Sequence, residues 1–165
     1  MTGWRALTDG EIVESAIGLR SLDWSWQLQD VPAIAARFDW KVLMARTDWV
    51  MLDCGFGLSS GAVTGRDGVA ESIKLKVTDS ASEDATGRAM VRDAFVRMTE
   101  AITGALGEPT ARISGETAEI RWAFPETTLL LKNLSLAHFV QLTYQTNASL
   151  AAFDRSIEFE RQGLI

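Results

Sequence analysis

The chain reads as an α+β protein: one antiparallel sheet of about six to seven strands, with a long central helix and N- and C-terminal helices packed on it. Three observations predict this. A capped helical pattern opens the chain at Thr8; period-two alternation recurs in two separated regions, Val69 to Val77 and Ala118 to Phe124; and an apolar stripe of helical period, Val91 to Leu106, lies between them. Strands joined by short turns pair antiparallel, because parallel neighbours need long crossovers. No linker or internal repeat divides the sequence, so residues 1–165 are expected to form a single domain with helices on one sheet face.

The elements follow in order. Thr8 and Glu11 have the spacing of a capping box, Leu7 and Ile12 that of a hydrophobic staple, and the first helix runs to Leu19 or Ser21. Trp24-Ser-Trp26-Gln-Leu28 alternates and reads as extended. Asp30 caps a short second helix with Pro32 in its first turn, where a missing N–H costs nothing, and Ile34, Ala35 and Phe38 face inward. Val42 to Arg46 and Trp49 to Cys54 read as strands around a Thr47-Asp48 turn. Gly55 to Gly68, with five glycines, reads as loop or bulged strand. Val69, Glu71, Ile73, Leu75 and Val77 then share one face, with Lys74, Lys76 and Thr78 on the other.

Ser82 or a neighbour starts the long helix, whose stripe is Val91, Ala94, Phe95, Met98, Ile102 and Leu106; Gly107 and Pro109 end it. Ala118 to Phe124 and Thr128 to Lys132 are strands separated by Pro125-Glu126-Thr127. Leu136 to Tyr144 is the last strand, and Asn147 or Ser149 caps a closing helix with Leu150, Phe153 and Ile157 on its inner face.

Composition excludes several classes. The chain has 16 basic and 22 acidic residues, a net charge of −6 spread evenly, with 8 basic against 11 acidic residues on each side of residue 80. Nucleic acid and anionic membranes need clustered Lys and Arg, which are missing here. A basic partner is attracted instead. Cys54 is the single cysteine, so no intramolecular disulfide or cysteine-based zinc site forms, and a reducing cytoplasm is the expected compartment. No signal peptide or membrane-length apolar run is evident.

No motif carries recognisable chemistry. His138 is the lone histidine, within an apolar strand pattern, and a strand residue with satisfied hydrogen bonds is expected. Cys54 has no basic neighbour to activate it. Gly55-Phe-Gly57 lacks the Lys-Ser/Thr and helix of a phosphate loop. Among the aspartates, Asp30, Asp39 and Asp48 have capping or turn positions, leaving Asp23 and Asp53 without a local structural role. No catalytic residue, cofactor or metal is expected.

Five of the six tryptophans fall in the first 49 residues. Trp40, Trp49 and Trp122 are expected in the core by position, and Trp4 has no assignment. Trp24 and Trp26 share one side of an extended segment. They either dock the first helix onto the sheet or serve as interface anchors, a role in which Trp is enriched.

The segments Leu22-Asp-Trp24-Ser-Trp26, Asp30-Val-Pro32 with Phe38 and Trp40, and Leu106-Gly-Glu-Pro109 with Ile120-Arg-Trp122 resemble an actinobacterial family of small uncharacterised proteins, over roughly residues 4 to 145. Such proteins resemble immunity proteins of bacterial polymorphic-toxin systems. The resemblance implies a cytoplasmic protein that occludes the active site of a cognate toxin domain with a basic cleft, the toxin hydrolysing NAD or nucleic acid. Asp23, Trp24, Trp26, Asp48 and Asp53 are the expected contact residues. The layout is also similar to the type III secretion chaperone-like fold, which implies a dimer holding an extended partner segment; monomer and homodimer both stay open. An enzyme using carboxylates alone is the third alternative.

Overall fold

Thr8 opens the first helix as its side chain predicts. In the computed structural model, which describes residues 3–163, its hydroxyl accepts from the Glu11 N–H and the Glu11 carboxylate accepts from the Thr8 N–H at 2.9 Å. Helix α1 (Asp9–Arg20) buries Ile12, Ala16 and Leu19. A short 3-10 turn, Leu28–Asp30, leads into α2 (Val31–Phe38), which has Pro32 in its first turn and ends on Asp39 in the left-handed region. The Asp30 carboxylate makes no cap; it accepts from Ser25 Oγ at 2.5 Å instead. Strands β1 (Lys41–Ala45), β2 (Trp49–Asp53), β3 (Gly61–Arg66) and β4 (Val69–Lys76) follow. Helix α3 (Ala85–Leu106) leads to β5 (Ala111–Ile113), β6 (Glu119–Ala123), β7 (Thr127–Leu134) and β8 (Phe139–Thr146), and α4 (Asn147–Arg161) closes the described chain.

All eight strands belong to one sheet, in the order β1-β2-β3-β4-β8-β7-β6-β5, and every neighbour is antiparallel. The expectation was six to seven strands. Strand β3 lies inside the glycine-rich stretch: at Gly61 an added Cβ would sit 3.2 Å from Leu52, and at Gly65 it would sit 1.9 Å from the Val69 carbonyl oxygen. Glycine there permits close packing within a sheet. The other extra strand, β5, is three residues long and has no room for a period-two pattern. The architecture is helix-then-meander twice, with the two four-stranded meanders joined at their last strands, β4 and β8. Helix α3 carries the chain from the centre of the sheet to its far edge.

Registers decide which side chains share a face. Leu75, Leu142, Leu131 and Ile120 are cross-strand partners in one row, and they pack with α1 and α3 in the main core. The α3 contribution is Val91, Ala94, Phe95, Met98 and Ile102, as the stripe predicts. Each fully buried Leu, Ile or Val side chain contributes about 1.5–3 kcal/mol. The next row, Lys74, Thr143, Leu130 and Arg121, points to the opposite face. Helix α4 covers part of that face, so the helices flank both sides of the sheet and not one.

Several sequence-based boundaries shift. The α3 cap is Asp84, whose carboxylate accepts from Gly87 N–H at 2.8 Å, and the α4 cap is Thr146. Only Leu150 of the predicted α4 face is buried; Phe153 and Ile157 stay substantially exposed. His138 leaves the strand pattern for the β7–β8 turn, where its φ is +65°. Trp122 alone of the three predicted core tryptophans is deeply buried, at 2% exposure. Trp40 stacks on Phe38 at 4.6 Å and is half-buried, and Trp49 shares the outer-face row of Thr64 and Ser72. Trp4 gains an assignment: its indole N–H donates to the Asp79 carbonyl at 2.8 Å, pinning the N-terminal segment beside the end of β4.

Candidate partner-binding surface

Four of the five predicted contact residues gather around one end of the sheet. The backbone of Gly68, in the β3–β4 turn, joins their segments. Its N–H donates to the Thr47 carbonyl at 2.9 Å, beside Asp48, and its carbonyl accepts from Leu28 N–H at 2.8 Å, in the segment that carries Asp23, Trp24 and Trp26. Asp23 and Asp48 are exposed. Both tryptophans are half-buried. Their ring centroids lie 5.1 Å apart, and Trp26 stacks on Tyr144, itself buried in the main core. The Trp24 indole N–H is buried without a partner among the described residues. Trp26 also holds a left-handed backbone, φ +56°, while its carbonyl accepts from Ala70 N–H at 2.8 Å.

Asp53 lies at the other end of β2 and has a structural role that its sequence context conceals. Its Oδ1 accepts from Gly55 N–H at 2.8 Å and Gly57 N–H at 3.2 Å, organising the β2–β3 loop. Those donors, the Gly55 N–H foremost, hold its carboxyl below the usual aspartate value. The loop has positive φ at Gly55 and Gly57, which explains the glycines without a phosphate ligand.

Cys54 beside it is half-buried, not fully buried. Its thiol is oriented toward the Ser60 carbonyl at 3.4 Å and the Lys76 carbonyl at 3.5 Å, and burial pushes its pKa up. It lines a groove of about 440 Å³ between α1, the end of α2 and the β2–β3 loop, walled by Phe38, Trp40 and Phe56. Arg5 lies over the Phe56 ring, 4.2 Å from its centroid. His138 Nε2 sits 3.6 Å from the exposed carboxylate of Glu83. Among the described residues, no group of three or more His, Cys, Asp or Glu side chains is placed to hold a metal ion, and no helix is long and apolar enough to cross a membrane.

The feature that motif reading passes over is β1. It is the edge of the sheet, and every residue in it is exposed, including Val42, Leu43 and Met44, each about two-fifths accessible. A register shift between Val42 and Met44 bends the strand. Through Met44 and Met51 the apolar surface continues onto β2. The signal was present in sequence as three consecutive apolar residues without alternation. A half-buried strand accommodates one side of such a run, so the rest must face solvent or a partner. Asp48 and Asp53 bracket this hairpin at the two ends of β2.

No curated protein and no solved structure matches the chain. A family model matches residues 10–144, most of the span over which the sequence resemblance runs, and by that match the chain belongs to the family of unknown function DUF6301.

Proposed function

We propose that the protein is an immunity-type inhibitor that binds a cognate toxin domain and occludes its active site, acting in the cytoplasm. The observation that carries this reading is the exposed apolar edge strand β1 on an acidic chain. An apolar edge strand left bare is an aggregation hazard, and a soluble protein keeps one where a partner covers it. The occupant is a folded, basic domain. The hairpin's own charges are mixed, Lys41 and Arg46 against Asp39, Asp48 and Asp53, so attraction comes from the net charge of −6 acting at longer range. Val42, Leu43 and Met44 then supply the desolvated contact that slows dissociation. Asp48, exposed in the β1–β2 turn, adds an acidic group at that end of the hairpin. The toxin class is one that hydrolyses NAD or nucleic acid, as the family resemblance implies.

The test is co-expression with the toxin encoded beside the gene. The wild-type chain restores growth, and Val42→Glu with Met44→Glu abolishes rescue while the thermal midpoint stays close to wild type. Failure of the wild-type chain to protect cells would overturn the reading.

A second reading, a secretion chaperone, draws on the same strand. The outer backbone groups of β1 have no neighbouring strand among the described residues, so an extended segment could add there as a ninth strand. It predicts a dimer by native mass and retention of an unfolded partner peptide, whereas an immunity protein captures only the folded domain.

A further inference from the structure

On the sheet face away from the main core, α4 lies over a bed that is polar. Successive registers place Thr64, Ser72 and Gln145 in one row, Lys74 and Thr143 in the next, and Gln141 and Lys132 in the third. Helix α4 turns Ser149, Ala152, Phe153 and Ser156 toward them, the i, i+3, i+4, i+7 face. Helix and sheet enclose a cleft of about 340 Å³. Leu130 on this face and Leu150 of α4 are both buried, and Lys132 Nζ lies 5.8 Å from the centroid of the Phe153 ring.

Charge narrows the ligand. The cleft is lined by three cations, Arg66, Lys74 and Lys132, against one carboxylate, Glu71, in a chain whose net charge is −6. Glu71 faces Arg66 at 3.5 Å. The neighbouring acids Glu119 and Asp154 are both taken by Arg121, at 2.6 and 2.9 Å. Among the described residues no carboxylate stands within ion-pairing distance of Lys74 or Lys132. Burial holds the Lys132 ammonium below its ordinary value; the cross-strand Glu119 carboxylate opposes this, and the Lys74 charge adds to it. An anion between them would relieve both effects.

We propose that this cleft binds a phosphate-type dianion, free or as the phosphoryl group of a small molecule, between Lys74 and Lys132. The two lysines stand on β4 and β7 with β8 between and two residues out of register, about 12 Å apart along the sheet, a distance that two long side chains close onto one small ion. Arg66 is paired with Glu71 and adds no net charge, while Gln145 and Ser156 add neutral donors. Two unpaired cations suit a dianion better than a single carboxylate. The cleft volume reaches the lower end of the range for small-molecule sites, which leaves room for a group attached to the phosphoryl. The site is on the face opposite the main core and does not depend on what covers β1.

The experiment titrates the full chain with inorganic phosphate at constant ionic strength, set with sodium chloride, and follows backbone amide resonances. Saturable shifts at Ser72, Lys74, Lys132 and Gln145, with a midpoint below about 10 mM, are expected. Lys74→Gln and Lys132→Gln should each weaken binding about tenfold or more, and Lys41→Gln on β1 should leave it unchanged. Should Lys132→Gln fail to fold, Lys74→Gln at its half-exposed position carries the comparison. Glycerol phosphate run beside inorganic phosphate separates the sources: tighter binding of the ester identifies a phosphorylated small molecule, and tighter binding of the free ion identifies phosphate itself. Shifts that grow linearly without saturation, or unchanged affinity in Lys74→Gln, would overturn the proposal.

Discussion

Trp26 stacks on Tyr144, with ring centroids 5.9 Å apart and planes inclined by 28°. The contact fastens the segment between α1 and α2 to the core face of β8. It also compensates a left-handed Trp backbone, a conformation that costs a bulky residue roughly 1–2 kcal/mol. Trp26→Ala should therefore destabilise the fold by about 3 kcal/mol, near the lower end for a buried aromatic. Trp24 differs because its buried indole N–H finds no acceptor among the described residues. Trp24→Phe removes that orphaned donor along with one ring, and the two effects oppose, so the change should stay within about 1 kcal/mol. Urea unfolding followed by circular dichroism reads both. Equal losses in the two variants would contradict the assignment.

Two glycines should respond in opposite directions to alanine. At Gly65 the added methyl would fall 1.9 Å from the Val69 carbonyl oxygen, at the register shift between β3 and β4. Backbone must move, and Gly65→Ala should cost more than about 2 kcal/mol. At Gly104, near the end of α3, the methyl meets nothing within 4 Å. Gly104→Ala should stabilise by about 0.5–1 kcal/mol through helix propensity alone. Thermal unfolding of the pair checks both signs, and a stabilised Gly65→Ala would refute the close approach.

Local chemistry was legible in this sequence, and long-range pairing was not. The capping box of Thr8 and Glu11, the α3 stripe and the Gly107 stop depend on neighbours within a few residues, and all three appear in place. The glycine-rich stretch left loop and bulged strand both open, and it holds a loop followed by the bulged strand β3, because the partner that forces Gly65, the Val69 carbonyl, is fixed only once the hairpin closes. Asp53 seemed free of any structural role because its acceptor geometry needs the Gly55–Gly57 loop to fold back on it. Alternation predicted the core-facing Ile73, Leu75 and Val77, but not the register shift beside Glu71, which exposes Val69 and turns Ala70 into the core, nor that α4 would cross to the far side and enclose Lys74. For the contact surface, sequence singled out tryptophans by rarity. The fold shows those rings packed against Tyr144 and leaves the ordinary residues Val42, Leu43 and Met44 uncovered.

Cys54 should be a slow thiol. Desolvation disfavours the thiolate, raising the pKa above its ordinary 9.0, and the Asp53 charge adds a smaller push in the same direction. The folded state therefore keeps its proton where the unfolded chain has begun to lose it. Stability from this group is fully present below pH 9 and declines as pH rises beyond that. At pH 7 a thiol reagent should label the native protein far more slowly than the urea-unfolded protein, and the native rate should climb with pH. Complete labelling of the native protein as fast as the unfolded chain would contradict a half-buried thiol.

Acid should destabilise the protein through a small set of carboxylates, three at loop or helix starts and one, Asp154, within α4. Glu11, Asp53 and Asp84 each accept backbone N–H bonds, and Asp154 accepts the bidentate Arg121 guanidinium at 2.9 and 3.0 Å; all four have pKa values below their ordinary ones. A depressed carboxylate binds its proton more weakly in the folded state than in the unfolded one. Its contribution is complete above the unfolded values, 3.8 for Asp and 4.5 for Glu, and disappears as pH falls through the depressed folded values. The denaturation midpoint should therefore be flat from neutral pH to about 5 and fall steeply below about 4. Asp84→Ala isolates one member. At pH 7 it loses the α3 cap and is less stable than wild type, and the gap should narrow as pH falls, because protonation abolishes the same interaction in the wild-type chain. A gap that stays constant down to pH 3 would show that the Asp84 carboxylate charge contributes nothing to the cap.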